Sequence, residues 1–280
     1  MIVPLRPDDL NHIWLIPETH FTTRLLRQHL QHYPHLGWMM RENGDYIVGS
    51  YWKDRPAIGQ IMESSPSPQR TELVEHLLES YRETGSDLVV LSDREVTHGL
   101  RFYQDMGFVT LEEVVCYERP NVSVPPITRR LNVRRLQEDD LPALVKLEQE
   151  TFPWLWWETA TTFRQTNQRP DIWVLVAYRG GELMGYLILA VRGTWGHLNR
   201  IGVQPRYQGQ GLGRELLTVA IEEMARRGAH TLGLNTQSTN SRSQHLYEDF
   251  GFTRSGETFK IYGKWLDDRD PGMVTRIPDP

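Results

Sequence analysis

In the segment Gln208-Gly209-Gln210-Gly211-Leu212-Gly213, residue type and spacing point most directly to chemistry. Three glycines at alternate positions lead into Leu212, Leu216 and Leu217, the opening apolar positions of a helical period. A helix start carries backbone N–H groups without intrahelical partners and the positive end of the helix dipole. Phosphate oxygens fit there if side chains leave room and the backbone can take positive φ, which glycine permits. The preceding strand is expected to end at Val203, ahead of Pro205, so the loop stands between strand and helix. The segment therefore reads as a pyrophosphate-binding turn, and a plain strand–helix connection is the alternative. A Rossmann turn is disfavoured: about 20 residues on stands Asn235 rather than a ribose-binding acid, and no βαβ unit precedes the loop. A Walker loop is excluded by the missing Gly-Lys-Ser/Thr.

A second segment gains meaning from a repeat. Leu246-Tyr247-Glu248-Asp249-Phe250-Gly251-Phe252 is paralleled by Phe102-Tyr103-Gln104-Asp105-Met106-Gly107-Phe108. The heads of the two copies also match: Leu136-Gln137-Glu138-Asp139-Asp140-Leu141 resembles Leu5-Arg6-Pro7-Asp8-Asp9-Leu10. So long a period implies two similar domains, not a solenoid. The proline-rich stretch from Arg119 to Pro126 separates them. The expected bounds are a first domain 1–120, a linker 121–128, a second domain 129–268 and an irregular tail 269–280.

The elements that must position the loop follow from periodicity. In the second half, strands are expected over 131–135, 172–178, 183–191, 197–203, 231–235 and 252–264. Helices are expected over 139–150, 159–165, 211–227 and 241–250. Arg179-Gly180-Gly181 reads as a tight turn between strands. Mixed strands and helices in this order make an α/β domain built on a mixed sheet.

Arg206-Tyr207-Gln208-Gly209-Gln210-Gly211-Leu212-Gly213 resembles the Gln/Arg-x-x-Gly-x-Gly/Ala signature of the GCN5-related N-acetyltransferase family. Downstream, the run from Asn240 through Tyr247 to Gly251-Phe252 resembles that family's Asn-(x)6-Tyr-(x)3-Gly-Phe pattern. The order and separation of the two agree with the family, and the resemblance covers roughly residues 129–265. It is similar to the branch that acetylates the N-terminal amine of a ribosomal protein, and to tandem members of the family. The resemblance implies two tandem acyltransferase-like domains, the first degenerate, with acetyl-coenzyme A as cosubstrate and no metal. It implies that Ile201, Gly202 and Val203 border the pantetheine arm. Gln208, Gly209, Gln210, Gly211, Leu212, Gly213 and Arg214 would surround the pyrophosphate, and Asn240 would bond the pantetheine or nearby backbone.

The implied reaction is direct attack of an amine on the thioester. The amide of Val203 is the implied donor to the oxyanion. Tyr247 is the implied acid for the departing thiolate; taken without the motif, it reads as a core residue beside Leu246 and Phe250. His197 stands six residues before Val203, an even spacing expected to put both on one strand face. Some family members carry a glutamate at this place, and a histidine can accept a proton near neutral pH, so His197 reads equally as the base or as a residue without a role. The ribosomal-protein branch carries a glutamate where this chain has Asn235, and an amide cannot act as a base. Trp154, Trp156 and Trp157 lie in the segment that lines the acceptor site in this family; they would shape an apolar pocket, stack on a cationic substrate, or pack the other domain. Glu148, Glu150 and Glu158 would attract an amine or simply face solvent.

The first copy lacks the loop. Its corresponding stretch is Glu63-Ser64-Ser65-Pro66-Ser67-Pro68-Gln69-Arg70. Prolines remove N–H donors there and Glu63 has the wrong charge for a phosphate, so one cofactor per chain is expected.

Composition sets outer bounds. The 280 residues carry 39% hydrophobic and 24% charged positions and a net charge of −5. Nothing there pulls the chain toward nucleic acid or an anionic membrane. The one cysteine, Cys116, excludes an intrachain disulfide framework and reads as a small buried strand residue. No signal peptide or membrane span is visible, and a reducing cytoplasm is the expected setting. The sequence thus points to an N-acetyltransferase acting on a primary amine of a small molecule or peptide. A non-catalytic acyl-CoA-binding sensor or interaction protein is the alternative.

Overall fold

The computed structural model describes residues 1–16, 19, 21–94, 99–124 and 126–267. The first half runs β1 (Ile2–Pro4), α1 (Thr23–His32), β2 (Gly37–Met40), β3 (Tyr46–Tyr51), β4 (Ile58–Ser64), α2 (Arg70–Glu83), β5 (Leu88–Ser92), α3 (Leu100–Asp105) and β6 (Val109–Arg119). The second half runs β7 (Asn132–Arg135), α4 (Leu141–Thr151), α5 (Ala160–Gln168), β8 (Ile172–Arg179), β9 (Glu182–Arg192), β10 (Trp195–Val203), α6 (Leu212–Arg226), β11 (Thr231–Gln237), α7 (Ser241–Asp249) and β12 (Thr253–Trp265). Each expected element of the second half is present, with ends moved by up to three residues. Gly180 and Gly181 both take positive φ, at 59° and 81°, as a two-residue hairpin turn requires. The expected tail 269–280 lies outside the described residues.

Two compact units divide the chain. The first holds residues 1–112 and a segment that starts at Phe259; the main body of the second is residues 113–258. Relative to the expected domains 1–120 and 129–268, two strand halves change sides. Residues 113–119 of β6 go to the second unit, where the strand pairs antiparallel with β11. Residues 261–265 of β12 pair antiparallel with β5 in the first.

In the second unit the sheet order is β7-β8-β9-β10-β11-β6. Leu216, Leu217, Ala220, Ile221 and Met224 of α6 pack on one face, with Leu198, Leu232, Leu234, Tyr247 and Phe252. Leu141, Leu144 and Leu147 of α4 and Phe163 of α5 cover the other, over Val174, Val176, Tyr186 and Ile188. Residues spaced three and four apart on each helix meet one sheet face, as the 3.6-residue period dictates. The first unit repeats the scheme in the order β1-β2-β3-β4-β5 with the end of β12. Cys116 lies on β6 as expected but is half-buried, not buried.

Candidate active site

Adjacent strands of the second unit part company midway. β10 and β11 pair in parallel only from Trp195↔Thr231 to Leu198↔Leu234. Beyond that point β10 keeps its ladder with β9, and β11 keeps its ladder with β6. A bulge marks the parting: Leu198 pairs with Leu189 and Arg200 with Ile188, which leaves Asn199 as the extra residue. Past the bulge, Gln204 N donates to Met184 O at 2.9 Å. By antiparallel alternation, the amides of Ile201 and Val203 then point away from β9, into the gap. Gly202 is glycine for want of space, since a Cβ there would lie 2.6 Å from the Tyr186 ring.

The bulge overturns the even-spacing argument for His197 and Val203. Leu198, Ile201 and Val203 all pack toward the α6 core, so the extra residue leaves His197 on the opposite face from Val203. His197 is half-buried, and its Nε2 lies 3.1 Å from Asn235 Oδ1 across the last paired rungs of the two strands. The residue that cannot be a base is thus the hydrogen-bond partner of the one that can.

The glycine loop follows the free end of β10. Gly209 and Gly211 take φ of 77° and 80°, a region that L side chains rarely adopt. Gly213 does not: it lies within the first turn of α6, where a Cβ would meet Leu246 at an ordinary 3.5 Å. Two of the three glycines, not three, are therefore required by backbone angle. Gly211 is the N-cap of α6 and supplies no side-chain cap, so the leading N–H groups of the helix stay open to an anion. Nothing lies within 4 Å of a Cβ built on Gly209. These features fit a diphosphate. Gln208 ties the loop to the strand, with Nε2 donating to Val203 O at 3.0 Å. Gln210 Nε2 lies 3.4 Å from Arg206 O, Leu212 is buried, and Arg214 pairs with Asp249 at 2.7 Å. Asn240 caps α7, its Oδ1 accepting from Ser243 N at 3.2 Å.

Tyr247 stands on α7 and is 4% exposed. Its ring lies 6.1 Å from Tyr117 and 6.2 Å from Phe252. Burial pushes its phenol up to about 12, opposed by the hydrogen bond with Ser243 and aided by Tyr117. The side chain therefore packs in the core and keeps its proton across the neutral range. Packing and proton donation are not exclusive here.

On the other face of the sheet, Glu148 is wholly buried and does not offer itself to an amine. It forms an ion pair with Arg200 and accepts from the Tyr186 hydroxyl. Arg200 Nε donates to Tyr186 Oη at 2.8 Å, and Nη2 donates to Trp156 O at 2.7 Å. The guanidinium also lies 3.8 Å from the centre of the Phe152 ring. Glu158 N donates to Glu148 Oε1 at 3.0 Å, and Trp157 Nε1 to Phe152 O at 2.6 Å. The buried pair thus pins the backbone of residues 152–158, with Trp154, Trp156 and Trp157 all half-buried on it. Burial pushes the Tyr186 phenol well up; burial also opposes the charge on Arg200, but Tyr186, Glu148 and Glu158 together outweigh it and hold the guanidinium charged. Sequence reading missed Arg200 altogether. Its partner is 52 positions away, and a lone arginine in a strand carries no local signal of burial.

Among the described residues, no group of three or more His, Cys, Asp or Glu is placed to hold a metal. Among them too, no helix is long and apolar enough to cross a membrane.

Residues 133–252 match the acetyltransferase (GNAT) family. The chain is 32% identical over 148 residues to the [ribosomal protein bS18]-alanine N-acetyltransferase of Escherichia coli strain K12, covering 52% of this chain and 96% of that one. It is 33% identical over 105 residues to the L-methionine sulfoximine/L-methionine sulfone acetyltransferase of Salmonella typhimurium, covering 34% and 60%. Among solved structures, a GCN5-related N-acetyltransferase from Sphaerobacter thermophilus shares the fold with a TM-score of 0.63 at 15% identity, over 98% of both chains. A tandem GNAT protein from the clavulanic acid biosynthesis pathway does so with a TM-score of 0.60 at 14% identity, over 96% and 99%.

Proposed function

From the premise that this chain belongs to the acetyltransferase (GNAT) family and transfers an acetyl group from acetyl-CoA to an amine, we propose that its acceptor is a primary amine of a small molecule or peptide, met beside residues 152–158. The observation that carries the reading is the gap between β10 and β11, which ends over the open start of α6. The similar proteins act, by their names, on a ribosomal-protein alanine and on amino-acid analogues, which supports both acceptor sizes. A cytoplasmic setting belongs to the proposal, in keeping with a single cysteine and such acceptors.

Acetyl-CoA supplies an acyl group already activated as a thioester. In this reading Gly209, Gly211 and the first N–H groups of α6 hold the diphosphate, with Gln208, Gln210, Leu212, Gly213 and Arg214 shaping the turn. Ile201, Gly202 and Val203 border the arm, and Asn240 fixes the start of α7. The Val203 N–H donates a hydrogen bond to the carbonyl oxygen as charge develops on it. His197 takes a proton from the amine, directly or through water, with Asn235 holding the ring. Tyr247 Oη gives a proton to the departing sulfur. Burial keeps the phenol protonated at neutral pH, so the proton is present to be given. Trp154, Trp156 and Trp157 wall the acceptor side. The deciding measurement is release of free thiol from acetyl-CoA against a panel of amino acids, polyamines and short peptides with free N-termini. Release that depends on one of these classes is expected. A background rate with every amine, alongside tight acetyl-CoA binding, would sink the acceptor assignment.

A further inference from the structure

Four arginines surround the glycine loop, and one differs from the rest. Arg206 pairs with Glu182, Arg214 with Asp249, and Arg130 with Glu215 at 3.4 Å while its Nη2 donates to Gln210 O at 3.1 Å. Arg242 has no carboxylate partner among the described residues. It is exposed, and its guanidinium donates to the side-chain oxygen of Gln208, a neutral amide at the edge of the loop. Its position is also electrostatically unfavourable. Arg242 is the second residue of α7, at the positive end of that helix, where an anion is stabilising and a cation is not. The neighbourhood does not relieve this. The first turn of α6 packs on α7 through Gly213 and Leu246, so a second helix start lies close by.

A diphosphate diester accounts for the helix start and the glycines. It does not account for a further cation, set outside the loop and left without a counter-charge among the described residues. A ligand with one more anionic group does. Coenzyme A carries such a group, a ribose phosphomonoester, whose second ionisation falls near neutrality and gives a charge close to −2. On the reading that the loop holds the diphosphate, we propose that Arg242 recognises this phosphomonoester and so distinguishes coenzyme A from its dephosphorylated form. Gln208 holds the guanidinium at the loop edge until the phosphate takes it over. A guanidinium suits the task, since it presents paired donors to phosphate oxygens.

The test is calorimetric titration of the full chain with coenzyme A and with 3′-dephospho-coenzyme A, at low and moderate salt. The wild-type protein is expected to bind coenzyme A about tenfold more tightly, with the gap narrowing as salt rises. Arg242→Gln should erase the gap by weakening coenzyme A alone, with dephospho-coenzyme A unchanged; Arg242→Lys should keep part of it. Equal affinity of the wild type for the two ligands overturns the proposal without any variant. So does an Arg242→Gln protein that loses affinity for both ligands alike, which would assign Arg242 to the diphosphate. Failure of the wild type to bind either ligand would instead remove the loop assignment on which the proposal rests.

Discussion

The two units of this chain share a frame and differ in what fills it. In each, a strand with a one-residue bulge follows a short parallel ladder: β10 with β11 in the second unit, and β4 with β5 from Ile58↔Leu88 to Gln60↔Val90 in the first. The first-unit bulge falls at Met62, between Ile61 and Glu63. In each, a tyrosine from the neighbouring strand binds the charged residue after the bulge: Tyr186 binds Arg200, and Tyr46 Oη donates to Glu63 at 2.6 Å. In each, a tyrosine on the last helix precedes a Gly-Phe pair. The difference lies where the next helix begins. In the second unit that place is Gly211, open to solvent and to anions. In the first the N-cap is Gln69, and the first helical residue, Arg70, is 7% exposed; its Nε donates to Ser64 Oγ at 2.8 Å and its Nη2 donates to Tyr103 Oη at 3.2 Å. Tyr103 Oη is also 2.9 Å from Ser64 Oγ. The guanidinium lies 4.7 Å from the Tyr103 ring centre and 4.8 Å from that of Phe102. The counterpart of Tyr247 is thereby tied up by the protein itself. A parted pair of strands is thus a property of the fold, and the units differ in whether a buried side chain occupies the helix start that follows it.

The largest effect is expected at the charge after the bulge. Arg200→Met strands the buried Glu148 carboxylate and should cost about 3–5 kcal/mol of unfolding free energy, most of it regained in the double change with Glu148→Leu. Glu63→Gln keeps acceptor capacity toward Tyr46 and Thr19 and should cost about 1 kcal/mol. Denaturant titration checks both; equal losses would break the contrast. Next, Tyr247→Phe should lower turnover about a hundredfold with acetyl-CoA affinity kept, whereas Tyr103→Phe should leave turnover alone. Steady-state rates and calorimetry on the same samples decide this, and an active Tyr247→Phe enzyme removes the phenol from the chemistry.

Gly211→Val forces a β-branched residue to a φ of 80°. At about 1–3 kcal/mol of strain, coenzyme A affinity should fall roughly tenfold or more. Pro68→Ala in the first unit should leave the stoichiometry at one per chain, and a second site of equal affinity would refute the reading that Arg70 closes the first unit's helix start.

The smallest effect concerns the matching heads. Asp9 Oδ2 accepts from Arg6 N at 3.0 Å, and Asp140 Oδ2 from Gln137 N at 2.8 Å. Asp140 also takes both Nη atoms of Arg134, at 2.6 and 2.8 Å, and the Tyr178 hydroxyl at 2.8 Å. Arg134 above all holds its carboxyl down at about 2. A depressed carboxyl adds stability above the unfolded value near 4 and loses it as pH falls toward 2. Asp140→Asn should therefore cost about 1–2 kcal/mol at neutral pH, after discounting for solvent at the half-exposed Arg134, and almost nothing near pH 2. Asp9→Asn disturbs one exposed hydrogen bond, to Arg6 N, and should cost about 0.5–1 kcal/mol. Thermal melts across pH 2–7 compare the two.

The sequence by itself determined the element order of the second half, the turn at Gly180-Gly181, the helix start after Gly209 and Gly211, and the doubling of the chain. All but the doubling rest on signals within a few residues, apolar period, glycine at positive φ and proline against the ladder; the doubling rests on two segments that recur at long period. Tertiary structure alone decided the rest. The bulge at Asn199 turned His197 away from the face of Val203, because one extra residue inverts the alternation of a strand. Glu148 met Arg200 across 52 positions and Arg70 met Tyr103 across 33, so one ion pair was buried and one helix start occupied by partners that local pattern cannot pair. The halves of β6 and β12 likewise took their partners from β11 and β5, since an extended segment specifies that it will pair but not with which edge.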